Sequence, residues 1–267
     1  MSTDAADNDF DRAHPEPLVV VEKLRMAYGR KLIQKDVDFT VNKGQIFAVM
    51  GGSGCGKSTL LRHLVGLQRP TEGSVRFGRI DYWKAEPEDQ DAVRQRMGML
   101  FQSSALFSTM TLLENVLLPM RLHQSEVAEA EQRERAEQLL ESVGLAHAKD
   151  LLPNEISGGM KKRAGLARAL ALDPELLFLD EPSAGLDPIS SRKLDELILE
   201  MRERTGAAIV VVSHELPSLF AIADSGIFLD AESKRPIAWG SPKQMQEDSN
   251  HPFVQAFLAR EIPAESE

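Results

Sequence analysis

The chain alternates short apolar runs with longer segments whose apolar residues recur at helical spacing. Three runs are continuous: Ile46 to Met50 (IFAVM), Leu176 to Leu179 (LLFL) and Ile209 to Val212 (IVVV). A strand apolar at every position is buried on both faces, as in a parallel sheet. Val37, Phe39 and Val41 alternate with polar neighbours and predict a half-buried strand. Leu18 to Val21 is a further short apolar run. Helical patterns fill the intervals at Lys57 to Gly66, Glu126 to Val143, Met160 to Leu172 and Ser190 to Arg204. Strands interleaved with helices predict a doubly wound α/β fold. The stretch from about residue 103 to 155 is strand-poor and reads as a helical insertion. Within it, Glu126 to Gln138 is dense in Glu, Gln and Arg, and reads as a solvated helix face laced by i,i+4 pairs.

Each continuous strand runs into chemistry. IFAVM leads into GGSGCGKST, LLFL into Asp180-Glu181, and IVVV into Ser213-His214. Ligands of parallel sheets bind at the carboxyl ends of the strands, so three strands deliver phosphate-binding and acid/base groups to one edge.

Gly51-Gly52-Ser53-Gly54-Cys55-Gly56-Lys57-Ser58 fits the P-loop pattern, and Thr59 closes the run. Glycines let backbone N–H groups turn inward around phosphate oxygens, and the next helix adds the positive end of its dipole. In this pattern Lys57 reaches the β- and γ-phosphates and Ser58 ligates magnesium. Asp180 is placed to hold that magnesium and Glu181 to polarise the attacking water. Alone, such a carboxylate pair is common at strand ends; beside a P-loop it is the expected second half of the site. His214 reads either as an exposed histidine or as a γ-phosphate sensor. Tyr28 reads as a core ring, a surface ring or one that stacks on adenine. Gln102 ends an apolar run, which by itself marks only a strand end. Cys55 reads as a small space-filling residue within the loop, yet a thiol-alkylating reagent is expected to block nucleotide binding, with protection by ATP.

Composition narrows the partners. The chain has 267 residues and a formal net charge of -10, a poor balance for binding DNA or RNA. One cysteine makes no internal disulfide and no cysteine-based zinc site. The opening residues, MSTDAADNDFDRAHPEP, are polar and acidic, unlike a signal peptide, and residues 1–17 are expected to be a disordered tail. No apolar run approaches a membrane span. The expectation is a cytoplasmic chain that meets a membrane through partners.

The ordered motifs resemble the ATP-binding cassette (ABC) family, the motor subunits of ABC transporters, over about Leu18 to Gly240. They comprise the P-loop, a Q-loop at Gln102, the signature Ser157-Gly158-Gly159-Met160, the Walker B strand ending Asp180-Glu181, a D-loop-like SAGLD at Ser183 to Asp187, and a switch histidine at His214. The signature about twenty residues before Walker B is far more specific than a P-loop. The resemblance implies a RecA-like, mostly parallel core with an antiparallel β subdomain and a helical subdomain at about 103–160. Residues 241–267 would pack on the cassette or on a neighbouring subunit. It implies ATP and Mg2+ as ligands and a head-to-tail dimer with a second copy. ATP would sit between one copy's P-loop and the other's Ser157, Gly158 and Gly159. Tyr28 matches the adenine-stacking position, Asp187 belongs to the nucleotide interface, and Gln102 matches the residue that contacts magnesium and links the site to the membrane subunits.

Ser157 is expected to cap a helix whose positive end faces a phosphate. Met160 and the stretches FQSSALFSTMTLLENVLLPMR and SPKQM…HPFVQAFL are similar to the Mla/Mce-type lipid-transport ATPases. That narrower likeness implies phospholipid trafficking, integral membrane permease subunits, an MCE-domain lipid-binding partner and a small regulatory cytoplasmic subunit, at the cytoplasmic face of the inner membrane. Glu215 stands where Asp is common in the wider family. The ATPase of an amino acid or methionine importer is the alternative. A nucleic-acid cassette fits poorly with the acidic balance, and a P-loop kinase or GTPase has no use for the signature.

Overall fold

The structure, a computed structural model, describes residues 16–261. Residues 1–15 of the expected tail, and the last six residues of the chain, lie outside the described part. In order, the elements are β1 (Pro17–Tyr28), β2 (Lys31–Asn42), β3 (Ile46–Gly51), α1 (Lys57–Leu64), β4 (Glu72–Phe77), β5 (Ile80–Asp81), α2 (Pro87–Gln95), β6 (Met97–Leu100), α3 (Leu112–His123) and α4 (Glu129–Ser142). Then follow α5 (Gly158–Ala169), β7 (Leu176–Asp180), α6 (Pro188–Thr205), β8 (Ala208–Val212), α7 (Leu216–Ile222), β9 (Ser225–Leu229), β10 (Pro236–Trp239), α8 (Pro242–Asp248) and α9 (Pro252–Ala259).

Two sheets form. The larger has the order β10-β9-β3-β8-β7-β6, parallel throughout except for β10 at one edge. The smaller is antiparallel, in the order β2-β1-β4-β5. The continuous apolar runs have the double-sided burial that their composition demands. On β3, Ile46, Ala48 and Met50 join one core with the helical layer; Phe47 and Val49 join another with α1 and the antiparallel sheet. β7 and β8 divide in the same way, with Leu177, Leu179, Ile209 and Val211 on the helical side and Phe178, Val210 and Val212 on the other.

Among the described residues, the region from 103 to 155 carries α3, α4 and two single 3-10 turns but no strand. α3 begins with a capping box: Glu114 N–H donates to Thr111 Oγ1 at 3.2 Å, and Thr111 N–H to Glu114 Oε2 at 2.8 Å. α5 lies close on β6 because two glycines clear the space: a Cβ at Gly98 would stand 2.1 Å from the Ala169 carbonyl, and one at Gly165 2.7 Å from Leu100. The helical signature begins at Gly158, two residues before the periodicity expected it, because glycines carry no apolar signal. β1 runs for twelve residues where only Leu18 to Val21 stood out as apolar; beyond Val21, buried Leu24 and Met26 are separated by exposed or half-exposed positions. At the C-terminal end, Phe253 and Phe257 of α9 pack on Phe228 of β9, with ring centroids 6.0 and 5.1 Å apart. No helix among the described residues is long and apolar enough to cross a membrane.

Candidate nucleotide site

The register of the parallel sheet assembles the site. Val49 pairs with Val212, and Val212 with Asp180, so β3, β8 and β7 end side by side. The P-loop, Ser213-His214 and Glu181 leave these strands at one edge.

The P-loop needs its glycines. Gly51, Gly54 and Gly56 have φ of 138°, 74° and 107°. A Cβ at Gly51 would meet the Leu229 carbonyl at 2.3 Å, and one at Gly56 would meet Ile33 at 2.6 Å. Gly52, Ser53, Ser58 and Thr59 complete the loop with wholly or partly accessible positions, and α1 starts at Lys57. The Lys57 ammonium donates to the Gly51 carbonyl at 2.8 Å and the Gly52 carbonyl at 3.0 Å, so it lies across the loop. Cys55 is buried beneath the loop, and burial pushes its thiol up. The thiol therefore packs beneath the loop, and an alkyl group added there would have to displace the loop itself.

One residue of this site escaped the motif reading. Gln34 on β2 is fully buried, and its amide nitrogen donates to the Cys55 carbonyl at 2.7 Å and to the Asp230 carbonyl at 2.6 Å. It supports the P-loop from below. The alternation of Val37, Phe39 and Val41 gave no signal for it: Gln34 is out of phase with them, and the strand changes phase at Asp36, whose φ is 53°.

At the end of β7, Asp180 has its carboxyl raised above the ordinary range by burial and then by the neighbouring Glu181. Glu181 adopts a left-handed backbone with φ 47°, uncommon for a residue with a Cβ. Its Oε1 lies 2.8 Å from His214 Nδ1; Oε2 accepts from Ser213 Oγ and from the His214 N–H, both at 3.3 Å. These groups are 32 and 33 residues apart in sequence; the β7–β8 pairing closes that gap. Gln102 follows β6 with its side chain exposed, while its carbonyl accepts from the buried Lys162 ammonium at 2.6 Å. Oxygen donors suited to a hard divalent cation are thus Ser58, Asp180 and Gln102. Magnesium takes one or two carboxylates and leaves its remaining positions to phosphates and water, so this sparse set fits. The raised carboxyl of Asp180, beside a second acid, is the chemistry a cation relieves.

Tyr28 ends β1, well exposed, and Arg62 donates to its hydroxyl at 3.2 Å. A hydrogen bond with Thr59 pulls its phenol below the usual range. Ser157 caps α5, accepting from Met160 N–H at 3.3 Å, and Gly158 and Gly159 open that helix toward solvent. A groove beside them is lined by Met160, Leu186 and Ser190. No hydrogen bond among the described residues joins Ser157, Gly158 or Gly159 to the P-loop. Asp187 caps α6, accepting from the N–H groups of Ile189 and Ser190 at 3.0 Å each. Hydrogen bonds from Ser190 hold its carboxyl low.

Residues 34–184, more than half of the chain, match the profile of the family described as ABC transporter. The chain belongs to the ABC transporter family. It is an ABC-type ATPase cassette, the ATP-binding subunit of a transporter. The cassette is 39% identical over 244 residues to the intermembrane phospholipid transport system ATP-binding protein MlaF of Haemophilus influenzae, covering 91% of each chain. It is 35% identical over 240 residues to the probable ribonucleotide transport ATP-binding protein mkl of Mycobacterium bovis, covering 90% of this chain and 66% of that one. Among solved structures, the cassette matches cbiO1 of Clostridium perfringens, part of the cbiONQ ABC transporter complex, with a TM-score of 0.79 at 28% identity, covering 87% of this chain and 92% of that one. It also matches an ATP-binding cassette solved as a dimer in a post-hydrolysis state with ADP and Pi, with a TM-score of 0.75 at 29% identity, covering 84% of this chain and 98% of that one.

Proposed function

We propose that this cassette powers phospholipid trafficking across a bacterial cell envelope, acting as a head-to-tail dimer beneath a separate membrane permease. The observation that carries the reading is the likeness to MlaF over 91% of both chains. The boundaries we assign are a cassette at 18–240 with its helical subdomain at about 103–160.

In this reading the inward N–H groups of Gly51 to Thr59 and the positive end of α1 hold the triphosphate, with Lys57 leaving the Gly51 and Gly52 carbonyls for the β- and γ-phosphates. Ser58, Asp180 and Gln102 would hold magnesium, whose charge would offset that of the phosphates. Glu181 orients the attacking water and accepts its proton. His214 is tied to Glu181 through Nδ1, and its Nε2, 3.7 Å from Glu215 Oε1, turns from that carboxylate to meet the γ-phosphate. Tyr28 supports the adenine. Ser157, Gly158 and Gly159 act on the ATP of the second copy, with Asp187 shaping the facing loop. A groove of about 460 Å³ lined by Met97, Met99, Phe101, Phe107, Leu118 and Leu122 offers an apolar seat for a permease helix beside Gln102.

The test is recovery of a tagged cassette from membranes of its own host. An MCE-domain partner with co-purifying phospholipid supports the reading. A soluble solute receptor instead would replace it with small-solute import, the direction in which the mkl likeness leans. Lys57→Ala should abolish ATP binding in a direct nucleotide titration; an unchanged affinity removes Lys57 from the site.

A further inference from the structure

Two lysines follow the signature, and the fold treats them differently. Lys161 is half-exposed, whereas Lys162 is 4% exposed. A lysine that deep needs partners, because burial disfavours its charge. Burial does pull its ammonium below the usual range, while Asp180 and then Glu181 act in the opposite direction. The partners are main-chain. Nζ donates to the Gln102 carbonyl at 2.6 Å and to the Glu181 carbonyl at 2.8 Å. One side chain therefore joins three segments: the stretch after β6, the signature helix α5 and the end of β7.

The Glu181 contact matters because of that residue's backbone. At φ 47° its direction is held by its neighbours rather than by its own preference. Its N–H donates to the Val212 carbonyl at 2.8 Å, and its carbonyl is held by Lys162. With both ends of the residue fixed, the carboxylate is aimed at Ser213 and His214.

We propose that Lys162 is a positioning residue that locks the main chain at Gln102 to that at Glu181, so that displacement of the stretch after β6 or of α5 changes the aim of the Glu181 carboxylate. The proposal rests on Glu181 being the group that acts on water. Lys162 is buried with both of its hydrogen bonds on main-chain carbonyls, so it acts through Glu181.

The test compares Lys162→Met, which keeps the stem and removes the donors, with Lys162→Arg, which keeps donors and charge, in the cassette assembled with its membrane partner. For Lys162→Met, the ATP dissociation constant should stay within about threefold of wild type while kcat falls at least about tenfold, and Lys162→Arg should recover most of that loss. Should Lys162→Met not fold, Lys162→Leu, which also lacks a donor, takes its place with the same expectation. In the double variant with Glu181→Gln, the lysine change should add less than about threefold, because both act through one carboxylate. Wild-type kcat in Lys162→Met, with Glu181→Gln inactive, overturns the lysine proposal alone. An equal loss in binding and turnover that Arg does not recover overturns it too, in favour of a merely structural lysine. Wild-type turnover in Glu181→Gln instead removes the assignment on which the proposal stands.

Discussion

Gln34 offers a quantitative probe of how the P-loop is held. Replacement by leucine keeps the volume and removes two donors, those to the Cys55 and Asp230 carbonyls. Each neutral hydrogen bond contributes about 0.5–1.5 kcal/mol net, so the loss is about 1–3 kcal/mol. The wild type already carries an opposing cost. Gln34 Oε1 is buried with no partner among the described residues, a cost of about 1–3 kcal/mol that leucine removes. The same cost applies to the Cys55 and Asp230 carbonyls, which leucine leaves without this donor, so the net change should be a loss of about 1–3 kcal/mol, or a few degrees in Tm for a chain of this size. The local effect does not cancel, because the donor to Cys55 is a direct restraint on the loop. ATP affinity should weaken about tenfold, which corresponds to about 1.4 kcal/mol. Gln34→Glu sets the sign of the argument: it puts a carboxylate against two carbonyl oxygens and should be worse in both measurements. Thermal unfolding without nucleotide and calorimetric ATP titration separate the two effects. If Gln34→Leu binds ATP as wild type does, or if Gln34→Glu is the milder change, the loop is not held in this way.

Asp195 on α6 is buried with an unpartnered Oδ1, and burial raises its carboxyl. Ionisation thus costs the folded state at pH above the raised value and costs nothing below the unfolded value. Asp195→Asn should leave stability unchanged in acid and become stabilising, by about 1 kcal/mol or more, as pH rises to neutrality; a gain that shrinks with rising pH in denaturant titrations would contradict this. Cys55 should react with maleimide far more slowly in the native cassette than after unfolding, and more slowly still with ATP bound; equal native and unfolded rates would refute its burial. Asn115 is buried on α3 and holds the preceding loop through the Phe107 N–H and the Phe107 and Met110 carbonyls. Asn115→Leu should cost about 2–4 kcal/mol in chemical denaturation and raise amide exchange at 105–111; a neutral result would show that the loop is held elsewhere.

The parts of the site that were legible share one property: their chemistry is written in consecutive residues. GGSGCGKS needs only its own glycines and a following helix, and the strand-terminal Asp180-Glu181 and His214 are announced by the runs before them. Helix limits were less legible where glycine or proline begins the element, as at Gly158 and Pro188. The short strands β4 and β5 give little periodicity to read. Gln34 and Lys162 were missed for a different reason. Lys162 sits within a basic run that looks solvated, although Leu166 and Ala169 lie on its face of α5.

Local sequence by itself determined the parallel core, the glycine loop after β3 and the polar residues that end β7 and follow β8. Continuous apolar strands have no other stable setting, and a run of glycines between strand and helix makes a loop. The tertiary structure alone decided which polar groups became interior. The register that sets Asp180 opposite Val212 brings Glu181 to His214. The seating of α5 on Gly98 closes Lys162 over two distant carbonyls. Burial is a property of segments meeting across tens or hundreds of residues, so the role of a buried glutamine or lysine appears only when those segments are in place.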